Sequence, residues 1–219
     1  MEKKVVVIHT SPVTLDVLKA LFKEIIPNVR MINIIDDGIL QDLITYGGTT
    51  PSIIRRVCQY AIEAEALGAD AIFNQCSSVG EAVDIARTMI HVPFVKIDEA
   101  MAEVAIRTGS RISIIGTSAS TIGPSTRLVE RAAGRLGIKV EVKGYLVDDA
   151  FDALTKEGDI GKHNKLVVAE IERIQDLSDV IILAQGSMVA LLSDLTKVKK
   201  PVFSSPRLGV EQLKLVLEL

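Results

Sequence analysis

Short runs of β-branched and other apolar residues alternate along this chain with longer stretches of helical period. The runs predict strands over 5–10, 29–35, 71–74, 94–97, 112–116, 139–146, 180–184 and 202–204. Several are apolar at every position rather than at every second one, the signature of parallel strands covered on both faces. Apolar residues three and four apart predict helices over 14–26, 52–67, 79–90, 99–108, 121–136, 162–177, 189–196 and 207–218. Gly68 and Gly137 stand where two of these helices should end. Strand then helix, repeated, defines an α/β fold built on parallel sheet.

The pattern also repeats. Shifted by about half its length, the chain lays Val5-Val6-Val7-Ile8-His9-Thr10-Ser11 on Ile112-Ser113-Ile114-Ile115-Gly116-Thr117-Ser118. Asp70 to Cys76 falls on Asp179 to Gln185, and Pro93-Phe94 on Pro201-Val202, with offsets of 107, 109 and 108. Polar strand ends match as well as apolar runs. This predicts two similar parallel-sheet lobes related by a pseudo-twofold. The first spans 1–98 and is joined by the helix from 207; the second spans 99–206. No Pro-, Gly- or Ser-rich linker divides them. Ligands of open α/β sheets bind beyond the carboxyl ends of the strands, so one cleft between the lobes is the expected active site.

Composition narrows the function. The 219 residues carry a net charge of −3, no Trp and only 4% aromatics, so neither a basic field nor a stacking platform for nucleic acid is present. No apolar run has the length of a membrane span or a signal-peptide core, which predicts a cytoplasmic protein. Two cysteines, Cys58 and Cys76, make neither a disulfide framework nor a metal cluster.

Candidate chemistry gathers at the strand ends. Asn74-Gln75-Cys76-Ser77-Ser78 follows a buried strand and opens a helix. Free N–H groups and the positive end of the helix dipole there favour thiolate, which would make Cys76 a base or nucleophile. Ser77 and Ser78 add hydroxyl donors. Cys58, inside a helical stretch, reads as core. Gly116-Thr117-Ser118-Ala119-Ser120-Thr121 is a hydroxyl-rich loop suited to a carboxylate. It lacks the lysine of a P-loop and the glycine spacing of a dinucleotide site, which removes a Rossmann-type dehydrogenase. The repeat partner of Cys76 is Gln185, in Gln185-Gly186-Ser187; an amide hydrogen-bonds but carries no proton at working pH. His9, at the end of the first strand with Thr10 and Ser11, is a second acid/base candidate or a structural histidine. Tyr46 to Pro51 reads as a flexible loop.

Two repeated lobes, a cysteine closely following Asn74, and the Gly116-Thr117…Thr121 loop together resemble the Asp/Glu/hydantoin racemase superfamily. The resemblance runs over nearly the whole chain. It implies a cofactor-independent enzyme in which Cys76 moves a proton at a carbon next to a carboxylate. Thr10, Ser11, Thr117, Ser118 and Thr121 would bind the carboxylate, with Asn74, Ser77 and Ser78 helping. Gln185, Gly186 and Ser187 would face the enolate-like oxygens. A small carboxylic acid would be the partner, and a homodimer is the common state in the superfamily. The departure is at Leu183-Ala184-Gln185, where such racemases carry a second cysteine. Racemisation needs two acid/base groups, one for each face of the carbanion. The expected function is therefore amino-acid racemase-like proton transfer, with His9 as the possible second group. The alternatives are a single-cysteine decarboxylase of a malonate-type acid and a non-catalytic carboxylate binder.

Overall fold

A computed structural model describes residues 2–219. In chain order the elements are β1 (Lys3–His9), α1 (Leu15–Ile25), β2 (Val29–Ile35), α2 (Gly38–Tyr46), α3 (Pro51–Ala66), β3 (Ala71–Asn74), α4 (Gly80–Ala86), β4 (Phe94–Lys96) and α5 (Glu99–Thr108). There follow β5 (Arg111–Gly116), α6 (Ala119–Leu136), β6 (Glu141–Leu146), α7 (Asp148–Thr155), α8 (Ile160–Ile174), β7 (Val180–Leu183), β8 (Val202–Ser204) and α9 (Ser205–Val216). The chain divides into two compact units, one of Met1–Ala100 with Pro206–Leu219 and one of Met101–Ser205.

Each unit holds one four-stranded, all-parallel sheet. The orders are β2-β1-β3-β4 and β6-β5-β7-β8, so the second unit repeats the topology of the first strand for strand. The apolar runs are explained by what covers them. In the first unit Val6, Ile8 and Ile72 pack with α3 and α4, while Val5, Val7 and Phe73 pack with α1 and α9. Val5 to Ile8 are wholly buried because alternate side chains enter two different cores. At roughly 1.5–3 kcal/mol for each fully buried aliphatic side chain, β1 is a principal source of stability. In the second unit Ile115, Ile181 and Leu183 pack with α8 and with Ala150 of α7.

The structure differs from the sequence expectation in three places. Two short helices, α2 and α7, follow β2 and β6; each is under ten residues long, too short for a periodic signal to emerge. The loop expected over Tyr46 to Pro51 is residues 47–50, and it joins α2 to α3 rather than following the second strand directly: Tyr46 ends α2 and Pro51 opens α3. The helix predicted over 189–196 is instead a 3-10 segment, Gly186–Asp194. Among the described residues no helix is long and apolar enough to cross a membrane.

The C-terminal helix docks through a glycine. A Cβ at Gly209 would lie 2.6 Å from the Ile97 carbonyl oxygen and 3.0 Å from Phe73 Cζ. Both contacts are to rigid parts of the β3–β4 core, so α9 would have to lift. Gly209→Ala is expected to cost about 1–3 kcal/mol, the usual penalty of overpacking. Urea unfolding checks this, and an unchanged midpoint would show that α9 is not seated as described.

Candidate active site

The register of each sheet decides which residues meet beyond its carboxyl edge. In the first unit Ile8 pairs with Asn74, and the Gln75 N–H donates to the Ile8 carbonyl at 3.1 Å. In the second, Ile115 pairs with Leu183, and the Ala184 N–H donates to the Ile115 carbonyl at 2.8 Å. These are the same ladder bond in two copies. One residue further on stand Cys76 and Gln185, each hydrogen-bonded to a threonine at the end of the neighbouring strand: Thr10 for Cys76, Thr117 for Gln185. Gln185 thus occupies, in its own unit, the place that Cys76 occupies in the other.

The loop carrying Cys76 is shaped by Asn74. Its side-chain amide donates to the Cys76 carbonyl at 2.8 Å, and its Oδ1 accepts the Cys76 N–H at 3.4 Å. Both ends of this buried amide are spent on holding Cys76 in an extended conformation at the start of the turn Ser77–Val79. Cys76 is half-buried. Burial pushes its thiol pKa up, while hydrogen bonds from the Thr10 hydroxyl, the Ser78 and Val79 N–H groups and the Ser78 hydroxyl pull it down. Burial prevails. This departs from the expectation of a thiolate stabilised by a helix end: those donors are present, but removal from water outweighs them. Cys76 rests as a thiol that already holds a proton.

Cys58 lies in α3, is 6% exposed, and has its pKa raised by burial without any compensating hydrogen bond. Iodoacetamide is therefore expected to label Cys76 well before Cys58 in the folded protein, and faster as pH rises above the ordinary thiol range. Peptide mass spectrometry reads both sites; equal rates would mean that Cys76 is no more reachable than a core residue.

His9 is wholly buried, and its Nε2 lies 2.9 Å from Asn33 Oδ1 while Nδ1 has no partner. Burial lowers its pKa, and the nearby Lys19 charge lowers it further, against the raising effect of the Asn33 bond. It is a neutral imidazole donating through Nε2. By the alternation along β1, its side chain shares the face of Val5 and Val7, which pack against α1.

In the second unit the Thr117 N–H donates to Gln185 Oε1 at 2.7 Å, and the Thr117 hydroxyl lies 3.2 Å from the same oxygen and 3.1 Å from Nε2. A backbone N–H can only donate, which fixes the amide oxygen as its acceptor, while the amide nitrogen donates to the Thr117 hydroxyl. Ser118 and Ser120 share a hydrogen bond of 2.9 Å between hydroxyls, and Thr121 is buried. Gly186 is buried, Ser187 is exposed, and Ser11 is partly exposed.

Sequence reading missed Asp98. It follows β4 and precedes α5, is 2% exposed, and hydrogen-bonds the Ser77 hydroxyl. The available signal was an acid at the end of the apolar run 94–97, but an acid before a helix reads as an ordinary cap. Thr49 was also unassigned, and its hydroxyl donates to the Ser78 carbonyl at 3.1 Å, tying the segment before α3 to the cysteine loop. Among the described residues no group of three or more His, Cys, Asp or Glu could hold a metal ion.

Fold and strand-end chemistry define an α/β protein of two like units, with a thiol at the key position in one and an amide in the other. The chain matches the Asp/Glu/Hydantoin racemase family over residues 4–213 and belongs to that family. It is similar in structure to glutamate racemase from Francisella tularensis, crystallised with D-glutamate, at TM-score 0.78 and 16% identity over 99% of this chain and 81% of that one. Allantoin racemase from Klebsiella pneumoniae gives 0.72 and 17% over 99% and 94%. An aspartate racemase homologue from Pyrococcus horikoshii gives 0.71 and 18% over the whole of both chains. A search of curated protein sequences finds no match.

Proposed function

We propose that this racemase-family protein transfers a proton through Cys76 at a carbon next to a carboxylate, in an amino acid or related small acid. The observation that carries the reading is the Cys76 sulfur itself. It sits at the carboxyl edge of a buried sheet, on a loop held by Asn74, and receives donors from Thr10, Ser78 and Val79. Such donors stabilise the thiolate formed when the proton leaves, and they cost no reorganisation. Ser11 and Ser77, on the unit that holds Cys76, are the hydroxyls proposed to receive the ligand. Thr10 and Asn74 serve it indirectly, since each is already bonded at the Cys76 loop. His9 acts as a structural imidazole in this reading.

A second reading has its own observation. Cys76 rests protonated, and its counterpart Gln185 moves no proton. A single acid suffices where the carbanion arises by loss of carbon dioxide from a malonate-type acid, because the thiol then needs only to protonate it. A non-catalytic carboxylate binder is the third possibility that the same test addresses. Both cysteines are free, which suits the reducing cytoplasm.

The test is a panel of carboxylic acids, amino acids and substituted malonates in heavy water, followed by NMR. Exchange at the carbon next to the carboxylate supports proton transfer. Deuterated product with one carboxylate fewer supports decarboxylation. Binding without either outcome would leave a carboxylate binder and end the enzymatic reading.

A further inference from the structure

Charged groups crowd the base of the Cys76 loop, and one of them lacks a counterion. The Lys96 side chain on β4 is 3% exposed, and its ammonium pairs with Asp84 of α4 and, at 4.0 Å, with Glu99 of α5. Arg87, just after α4, donates to the two Glu99 oxygens at 2.8 and 2.7 Å and to Asp84 at 3.4 Å. Two cations thus answer two carboxylates. Asp98 is the third acid. Its Oδ1 is buried without a hydrogen-bond partner, and the Ser77 hydroxyl, beside Cys76, bonds its carboxyl group.

An ionised Asp98 would leave a buried charge uncompensated. A neutral acid leaves only one carbonyl oxygen unpaired, which is cheaper. Burial accordingly drives the Asp98 pKa up, against the Ser77 bond and the Lys96 charge. The protonation state sets the direction of the Ser77 bond. A carboxylate takes the hydroxyl hydrogen of Ser77; a carboxylic O–H donates to Ser77 Oγ and leaves that hydrogen free for another acceptor.

We propose that Asp98 is a positioning residue that works as a neutral carboxylic acid and turns the Ser77 hydroxyl toward a ligand carboxylate beside Cys76. The inference rests on the reading of Cys76 as acting next to a carboxylate. It adds a residue to that site and a reason why the acid must be uncharged: an anion there would both consume the donor and repel the ligand.

Two alkylating agents test it on the full chain. Iodoacetate carries a carboxylate on the carbon that the sulfur attacks; iodoacetamide carries a neutral amide in its place. Both consume the same thiolate, so the ratio of their rates at Cys76 cancels the thiol pKa and reads carboxylate recognition. Ser77→Ala and Asp98→Ala are expected to lower the iodoacetate to iodoacetamide ratio by about threefold or more, the loss of one hydrogen bond. Asp98→Asn should stay within about twofold of wild type, because an amide N–H donates to Ser77 Oγ as the acid does. It is also isosteric, which keeps the test sound where Asp98→Ala folds poorly. A ratio that rises severalfold in Asp98→Asn would show an ionised Asp98 and overturn the proposal. So would a fall matching Ser77→Ala, or an unchanged ratio in Ser77→Ala. Failure of the underlying reading is seen separately, as a wild-type ratio no higher than that of free cysteine.

Discussion

Cys76→Ala is expected to abolish deuterium incorporation into any acid that the wild type exchanges, a loss of about 10²- to 10⁴-fold, the usual contribution of a positioned acid/base group. Thr10, Ser78 and Val79 then aim their donors at an empty place. The carboxylate should still bind, since the remaining hydroxyls are untouched, and calorimetry with the same acid measures this. Cys76→Ser should be nearly as damaging: a hydroxyl gives up its proton far less readily than a thiol near pH 7. Undiminished exchange in Cys76→Ala would remove the sulfur from the mechanism and return attention to His9 or to simple binding.

Gln185→Cys is expected to create or enlarge racemising activity. Inversion at carbon needs one group to take the proton and another to return it on the other face. The wild type has a thiol at one of two equivalent strand ends and an amide at the other. By the two-cysteine pattern that the family resemblance implies, a cysteine at 185 would supply the second proton carrier. A wild type that decarboxylates should correspondingly lose stereochemical purity in its product. Chiral chromatography of product formed in heavy water distinguishes these results. The substitution also frees the Thr117 N–H, which Gln185 Oε1 now accepts at 2.7 Å, so the unfolding midpoint should be followed in parallel. A folded Gln185→Cys protein that exchanges with wild-type stereochemistry would mean that position 185 takes no part in proton delivery.

The inner strands of each sheet were legible because burial on both faces leaves an unbroken apolar run, whereas the edge strand β6 is exposed or partly buried and shows no such run. The predicted bounds 29–35, 71–74 and 202–204 coincide with β2, β3 and β8. The repeat was legible for the same reason: two copies of one topology need apolar runs and polar ends at matching intervals. The helices α2 and α7 were not legible, being too short for a period to show. The Gly186–Asp194 segment carries helical spacing but winds as 3-10, a choice made by the packing of Met188 and Leu191 rather than by local propensity.

The site divides along similar lines. The sequence by itself determined the α/β class, the duplication, and the placing of Cys76 and Gln185 at equivalent strand ends, because each follows from the order of apolar and polar residues along one dimension. The use of each polar group was decided only by tertiary structure. A hydroxyl or amide reads the same in sequence whether it meets a ligand or a neighbour. Thr10 turned out to be bonded to Cys76, Asn74 to the Cys76 backbone, and Thr117 to Gln185. The charge state of Cys76 likewise depended on burial, a property of everything packed around it, which overrode the favourable helix end that the sequence did disclose. Asp98 became a candidate only when the fold set it against Ser77 with every nearby cation already paired.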